Sequence, residues 1–147
     1  MIPAAFDYKK ADSAEEAIAL IAEHGDEAKL LAGGHSLIPM MKLRLAVPSV
    51  LVDIAGVNDL SYIDDRDDHI AIGALAKHRS LETSDLLISE CPILAHVASK
   101  VGDPQVRHRG TLGGSLAHSD PASDLPAAVL ALGGSLVAQG PNGEREI

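Results

Sequence analysis

Two short segments combine glycine with hydroxyl side chains in a way that suits phosphate. One is Ala32-Gly33-Gly34-His35-Ser36-Leu37; the other is Thr111-Leu112-Gly113-Gly114-Ser115. Glycine reaches positive φ and lets an anion come close to the backbone. Successive N–H groups can then converge on phosphate oxygens as a nest, with no charged side chain needed. Ser36, Thr111 and Ser115 add hydroxyl donors. A single glycine pair is ordinarily a turn. Two pairs of similar make-up, 80 residues apart from Gly33 to Gly113, leave two readings open. They are two turns, or they are two loops that together hold the two phosphates of a dinucleotide. Neither is a G-x-G-x-x-G, so the Rossmann mode of binding is not supported. Neither is followed by the Gly-Lys-Ser/Thr of a P-loop.

Other groups that could do chemistry carry less. His35, Ser36 and Asp53 could be imagined as a hydrolase triad, but their setting is not the G-x-S-x-G elbow. Arg107, His108 and Arg109 form a basic cluster that could touch phosphate, meet a partner or simply be solvated. Lys42 and Arg44 follow the first glycine segment and read as an exposed helix face or a partner contact. Asp64, Asp65, Asp67 and Asp68 fail the calcium-loop pattern, because Arg66 and His69 fall at ligand positions; they read as a solvated tip. His78, His96, His108 and His118 have no metal-ligand spacing. Cys91, the single cysteine, can make no internal disulfide, iron–sulfur cage or structural zinc site and reads as packed.

Composition narrows the classes further. The 147 residues suffice for one domain or two small lobes, and 46% apolar with 22% charged residues is a globular balance. With 21 acids against 12 bases the net charge is −9, which argues against nucleic acid or an anionic membrane surface as partner. The start lacks the basic and apolar regions of a signal peptide, and no run is long enough for a transmembrane segment. The cytoplasm, including the inner face of the membrane, is the expected location. Aromatic residues are few: Phe6, Tyr8 and Tyr62.

The elements that must position these groups follow from pattern. Residues 13–24 read as a helix: Ser13 and Glu16 make a capping box, and Ala14, Ala17, Ile18 and Ile21 share one face. Lys29–Ala32 and Val50–Ile54 read as strands, and 37–45 as a helical turn or short helix. Residues 1–55 therefore form a small α/β lobe, and 56–147 a second lobe. In the second, Leu60–Asp64 and His69–Leu75 make a hairpin with an acidic tip. Residues 80–88, 92–101 and 126–132 read as helices, and 102–120 mostly as loop. Ser135–Gln139 is a strand, with a turn at Gly140-Pro141-Asn142-Gly143. The last four residues begin a return strand whose second arm is expected to be incomplete, which suggests a piece of a longer protein.

The motifs resemble those of a known family. Ala32 through Leu37, continuing Ile38-Pro39-Met40-Met41-Lys42-Leu43-Arg44-Leu45, resembles the first flavin loop of the medium subunit of aerobic carbon monoxide dehydrogenases. Asp103-Pro104-Gln105-Val106-Arg107, Thr111 through Ser115, and Asp120-Pro121-Ala122-Ser123-Asp124-Leu125-Pro126 resemble its second. The opening Ile2-Pro3 to Phe6-Asp7-Tyr8 also fits. The resemblance covers the whole chain and extends more loosely to xanthine dehydrogenases and related molybdenum hydroxylases.

The resemblance implies an α+β, two-lobed FAD-binding domain of the vanillyl-alcohol oxidase (PCMH) type, with its C-terminal part beyond residue 147. It implies that Ala32, Gly33, Gly34, His35, Ser36 and Leu37 wrap the FAD pyrophosphate and ribityl region, mainly by main chain. Thr111, Leu112, Gly113, Gly114 and Ser115 would supply a second set of donors; the family usually has Asn at the position of Ser115. Ser123 and Asp124 match positions on the adenosine side. Val101 matches a cofactor-facing position where the xanthine enzymes carry an aromatic. The implied function is electron transfer in an oxidoreductase, with no catalytic acid or base in this chain. A large molybdenum-cofactor subunit would oxidise the substrate, and a small subunit with [2Fe-2S] clusters would relay electrons to FAD. The flavin would reduce an external acceptor, such as a quinone or another carrier. A dimer of heterotrimers is the expected assembly. Oxidation of an aromatic heterocycle or aldehyde in place of carbon monoxide, and a flavin-free scaffolding module, are the alternatives.

Overall fold

Val50-Leu51-Val52 is an apolar run with β-branched valines at both ends, buried on both faces. A strand with that pattern belongs at the centre of a parallel sheet. In the computed structural model, which describes residues 1–147, it does: β3 (Val50–Asp53) lies between β1 (Asp7–Lys10) and β2 (Ala28–Leu31), all parallel. The register pairs Asp7 and Ala28 with Val50, and Lys10 and Leu31 with Asp53.

α1 (Ala14–His24) makes the crossover from β1 to β2. Ser13 caps it by accepting from the Glu16 N–H at 3.1 Å, and the Glu16 carboxylate accepts from the Asp12 N–H at 2.8 Å. The reciprocal pair is the capping box, shifted back by one residue on the carboxylate side. α2 (Leu37–Lys42) follows β2. These elements form one compact unit, residues 1–57, to which residues 135–147 also belong. The latter form a hairpin of β6 (Val137–Gly140) and β7 (Gly143–Glu146), closed at its open end by paired Leu136 and Ile147 N–H···O bonds of 2.9 Å. The return arm is therefore present, where the sequence suggested an incomplete one.

β1 has no apolar alternation to announce it. Its residues Asp7-Tyr8-Lys9-Lys10 are mostly exposed, as suits the charged edge of a sheet.

The second unit, residues 58–134, is mainly helical. β4 (Ile63–Asp65) and β5 (Ile70–Ile72) make the hairpin, and the acidic tip is solvated, with an Arg66–Asp64 ion pair at 3.0 Å and a His69–Asp68 hydrogen bond at 2.6 Å. The expected helix at 80–88 is two helices, α3 (His78–Thr83) and α4 (Asp85–Glu90). Ser84 divides them: its hydroxyl accepts from the Leu87 N–H at 3.3 Å and restarts the helix as an N-cap. α5 (Pro92–Lys100) and α8 (Asp124–Ala131) complete the core around Leu81, Leu87, Leu94, Ala98 and Leu125.

Residues 102–120 are not mostly loop. α6 (Pro104–Arg107) starts at Pro104 under an Asp103 cap, and α7 (Leu112–His118) starts under Thr111. Caps and an N1 proline outweigh the glycine-rich composition there. No helix is long and apolar enough to cross a membrane, and no three His, Cys, Asp or Glu side chains gather to hold a metal ion.

Candidate functional site

The first glycine segment leaves the carboxyl end of β2. Ligands of open α/β sheets sit beyond the carboxyl ends of the strands, where successive loops begin. Gly34 takes φ +79°, a conformation that costs an L-residue strain. A Cβ there would also lie 2.8 Å from Ile38 Cδ1. The turn is held by the Ile38 N–H on the Gly34 carbonyl (3.0 Å) and the Met40 N–H on the Ser36 carbonyl (3.2 Å). No hydrogen bond within the chain uses the N–H groups of Gly33, Gly34, His35, Ser36 or Leu37. The Ser36 hydroxyl caps nothing. Five consecutive N–H donors at a positive-φ glycine, joined by a hydroxyl, fit an anion such as a pyrophosphate.

Asp53 does not complete a triad with His35 and Ser36. One of its oxygens accepts from the Tyr8 hydroxyl at 2.5 Å and the other from the Ala55 N–H at 2.8 Å. The hydrogen bond to Asp53 pushes the Tyr8 phenol above its ordinary pKa.

The second segment is built differently. It is the N-cap and first turn of α7, and its main-chain donors from Leu112 to Ser115 are engaged within the chain. The Leu112 N–H donates to the Ala76 carbonyl (2.9 Å), Gly113 to Ala74 (2.9 Å), Gly114 to Thr111 Oγ1 (3.2 Å) and Ser115 to the Thr111 carbonyl (3.1 Å). Neither glycine has positive φ. Gly113 instead permits close approach: a Cβ on it would lie 2.7 Å from both the Cβ and the carbonyl oxygen of Ala74. What this segment offers a ligand is the Ser115 side chain rather than a second nest. The resemblance of the two segments in composition hides a difference in use.

The remaining candidates are placed as follows. Val101 is half-buried against the helical core, and its carbonyl accepts from Arg107 Nη1 at 2.8 Å. Arg107 is no solvated loop residue: its side chain is 14% exposed and its Nε reaches Glu82 at 3.0 Å. Glu82 also takes Arg79 at 3.0 Å. His108 and Arg109 are exposed. Ser123 precedes α8 with its hydroxyl uncommitted to the cap, and it lines an open groove of about 280 Å³ with Ser119, Asp120, Pro121, Pro126 and Leu130. Asp124 is exposed at the start of that helix. His78, which sequence spacing did not mark, is buried with its Nε2 facing the Ser115 hydroxyl.

The hydrogen bond from Arg79, with the field of Arg107, holds the Glu82 carboxyl below its ordinary pKa. A depressed carboxylate contributes stability above its unfolded pKa and loses it as pH falls through the folded value. Glu82→Gln is therefore expected to lower the melting temperature near neutral pH, with the gap to the parent closing on acidification. Thermal unfolding across pH tests this; a gap that stays constant down to strong acid would rule it out.

Residues 4–147 match the family model described as the FAD binding domain in molybdopterin dehydrogenase. The chain belongs to this family. The 6-hydroxypseudooxynicotine dehydrogenase complex subunit alpha of Paenarthrobacter nicotinovorans is 49% identical over all of this chain and 50% of its own length. The carbon monoxide dehydrogenase medium chain of Hydrogenophaga pseudoflava is 45% identical over all of this chain and 51% of its own. The solved structure of carbon monoxide dehydrogenase from Hydrogenophaga pseudoflava superimposes with a TM-score of 0.98, at 46% identity, over the whole chain and 51% of its counterpart. The chain thus spans about half the length of the relatives it matches, and its fold is that of this FAD-binding domain family.

Proposed function

We propose that this chain is the FAD-binding part of the electron-transfer subunit of a molybdenum hydroxylase of the carbon monoxide dehydrogenase type. The observation that carries the reading is the run of five uncommitted N–H donors from Gly33 to Leu37, within a chain of the FAD-binding family. Bound FAD would take electrons delivered through the [2Fe-2S] clusters of a small subunit from a large molybdenum-cofactor subunit, and pass them to an external acceptor such as a quinone.

The chain's own part is to hold and orient. Gly33 to Leu37 would donate to the pyrophosphate, with the Ser36 hydroxyl beside them. Ser115 would add a side-chain donor. Ser123 and Asp124, next to the groove at the start of α8, would meet the adenosine side, and Val101 would present an aliphatic surface. His35 is exposed and its main chain contributes more than its ring. No residue here is assigned a proton-transfer role.

The visible spectrum of the purified native complex, followed by chromatographic identification of released flavin, tests the proposal. One FAD per chain, bleached by dithionite, is the expected result. A complete complex without flavin would leave the scaffolding reading in its place. A second substrate reading has its own support, since the relative at 49% identity is named for 6-hydroxypseudooxynicotine. Bleaching of the flavin by carbon monoxide or by 6-hydroxypseudooxynicotine decides between them.

A further inference from the structure

His78 is buried in the second unit, with 3% of its surface exposed. Its N–H donates to the Gly110 carbonyl at 3.0 Å. The ring lies against the α-carbon of Gly110, where a Cβ would fall 2.6 Å from both Cδ2 and Nε2. Any side chain at position 110 would displace the imidazole. The ring's Nε2 faces Ser115 Oγ across 3.4 Å. Main-chain pairing holds the two sides in place: Leu112 N–H bonds the Ala76 carbonyl, and Lys77 bridges Thr111.

The N–H groups of Leu112 to Ser115 are all engaged within the chain, so the first turn of α7 offers an anion the Ser115 hydroxyl. A serine hydroxyl has one hydrogen to give. If Nε2 were an acceptor, that hydrogen would turn inward to the ring. If Nε2 carries a proton, the ring donates to Oγ and the hydroxyl hydrogen is left for the ligand. We propose that His78 is a positioning residue for the flavin site: its Nε2–H donates to Ser115 Oγ and directs the serine's own hydrogen to a phosphate oxygen of FAD. The proposal rests on the FAD reading above.

The test is FAD affinity, measured by fluorescence titration of the flavin-stripped native protein. The amide nitrogen of glutamine can stand where Nε2 does; that of asparagine is too short and mimics Nδ1. Ser115→Ala and His78→Asn are each expected to weaken FAD binding by at least about tenfold, the lower end of the worth of one hydrogen bond to a charged group. His78→Gln should stay within about threefold of the parent. In the Ser115→Ala background, His78→Asn should have no further effect. Multiplying effects, or equal losses for glutamine and asparagine, would overturn the proposal. Should the His78 variants unfold, neutron diffraction of the unaltered, flavin-loaded protein decides: an unprotonated Nε2 overturns the proposal and a protonated one pointing at Oγ supports it. A parent that binds no FAD at all overturns the flavin reading itself.

Discussion

Gly34→Val should strip the protein of most of its flavin while leaving the fold intact, and Gly34→Ala should do so in part. At φ +79° any L-residue is strained, by about 1–2 kcal/mol for alanine and more for a β-branched residue. The added Cβ meets Ile38 Cδ1 at 2.8 Å, the movable end of a flexible side chain, so the backbone angle is the larger obstacle. The loop relieves the strain by rotating the peptides on either side of position 34. Those peptides carry the N–H groups that make up the donor run. About 1–2 kcal/mol corresponds to roughly 5- to 30-fold weaker FAD binding for Gly34→Ala. Titration of the flavin-stripped protein reads the affinity, and circular dichroism reads the fold. An unchanged affinity for both variants would remove this loop from the binding site.

Gly113→Ala should have the opposite profile, with loss of stability first. Its Cβ would lie 2.7 Å from the carbonyl oxygen and 2.8 Å from the Cα of Ala74, and backbone atoms cannot swing aside. The start of α7 would have to lift away, breaking the Gly113–Ala74 hydrogen bond and straining the adjoining Leu112–Ala76 bond. Leu112, 6% exposed, would leave its place in the core with them. Overpacking of this kind costs about 1–3 kcal/mol, or a melting temperature lower by several to about 20 °C in a unit of this size. Gly114→Ala is the control. Its Cβ would meet only Thr111 Oγ1, a side-chain atom that can rotate away with loss of the cap, at a cost of about 1 kcal/mol. Equal melting temperatures for the two variants would refute the close-approach role of Gly113.

Local pattern and motif together carried the helix read at 13–24, the strand that follows it, the strand read at 50–54, the acidic hairpin and the resemblance to the FAD-binding family. These are properties of neighbours in the chain. An N-cap, a run of apolar side chains or a glycine pair acts within a few residues, so its signal survives in one dimension. β1 was invisible for the complementary reason: an edge strand of Asp, Tyr and Lys is made a strand by its partner Val50–Asp53, not by its own pattern. Ser84 and Thr111 were legible as caps only once the helices they begin were known.

The site shows the same division more sharply. Glycine-with-hydroxyl composition pointed to both segments 32–37 and 111–115. Composition cannot say that the N–H groups of Leu112 and Gly113 are already paired, because their partners, Ala76 and Ala74, are distant in sequence. Tertiary pairing alone decided that the first segment presents main-chain donors and the second a side chain. The same holds for Arg107, whose partners Glu82 and Val101 turn a seemingly solvated basic residue into an internal tie. It holds again for His78, one of several scattered histidines until the fold brings it to Ser115. The sequence by itself supplied two glycine-and-hydroxyl segments whose composition suits phosphate, and no metal-ligand or nucleophile motif. The tertiary structure decided which donors are free, since an N–H is committed or available only through what lies across from it.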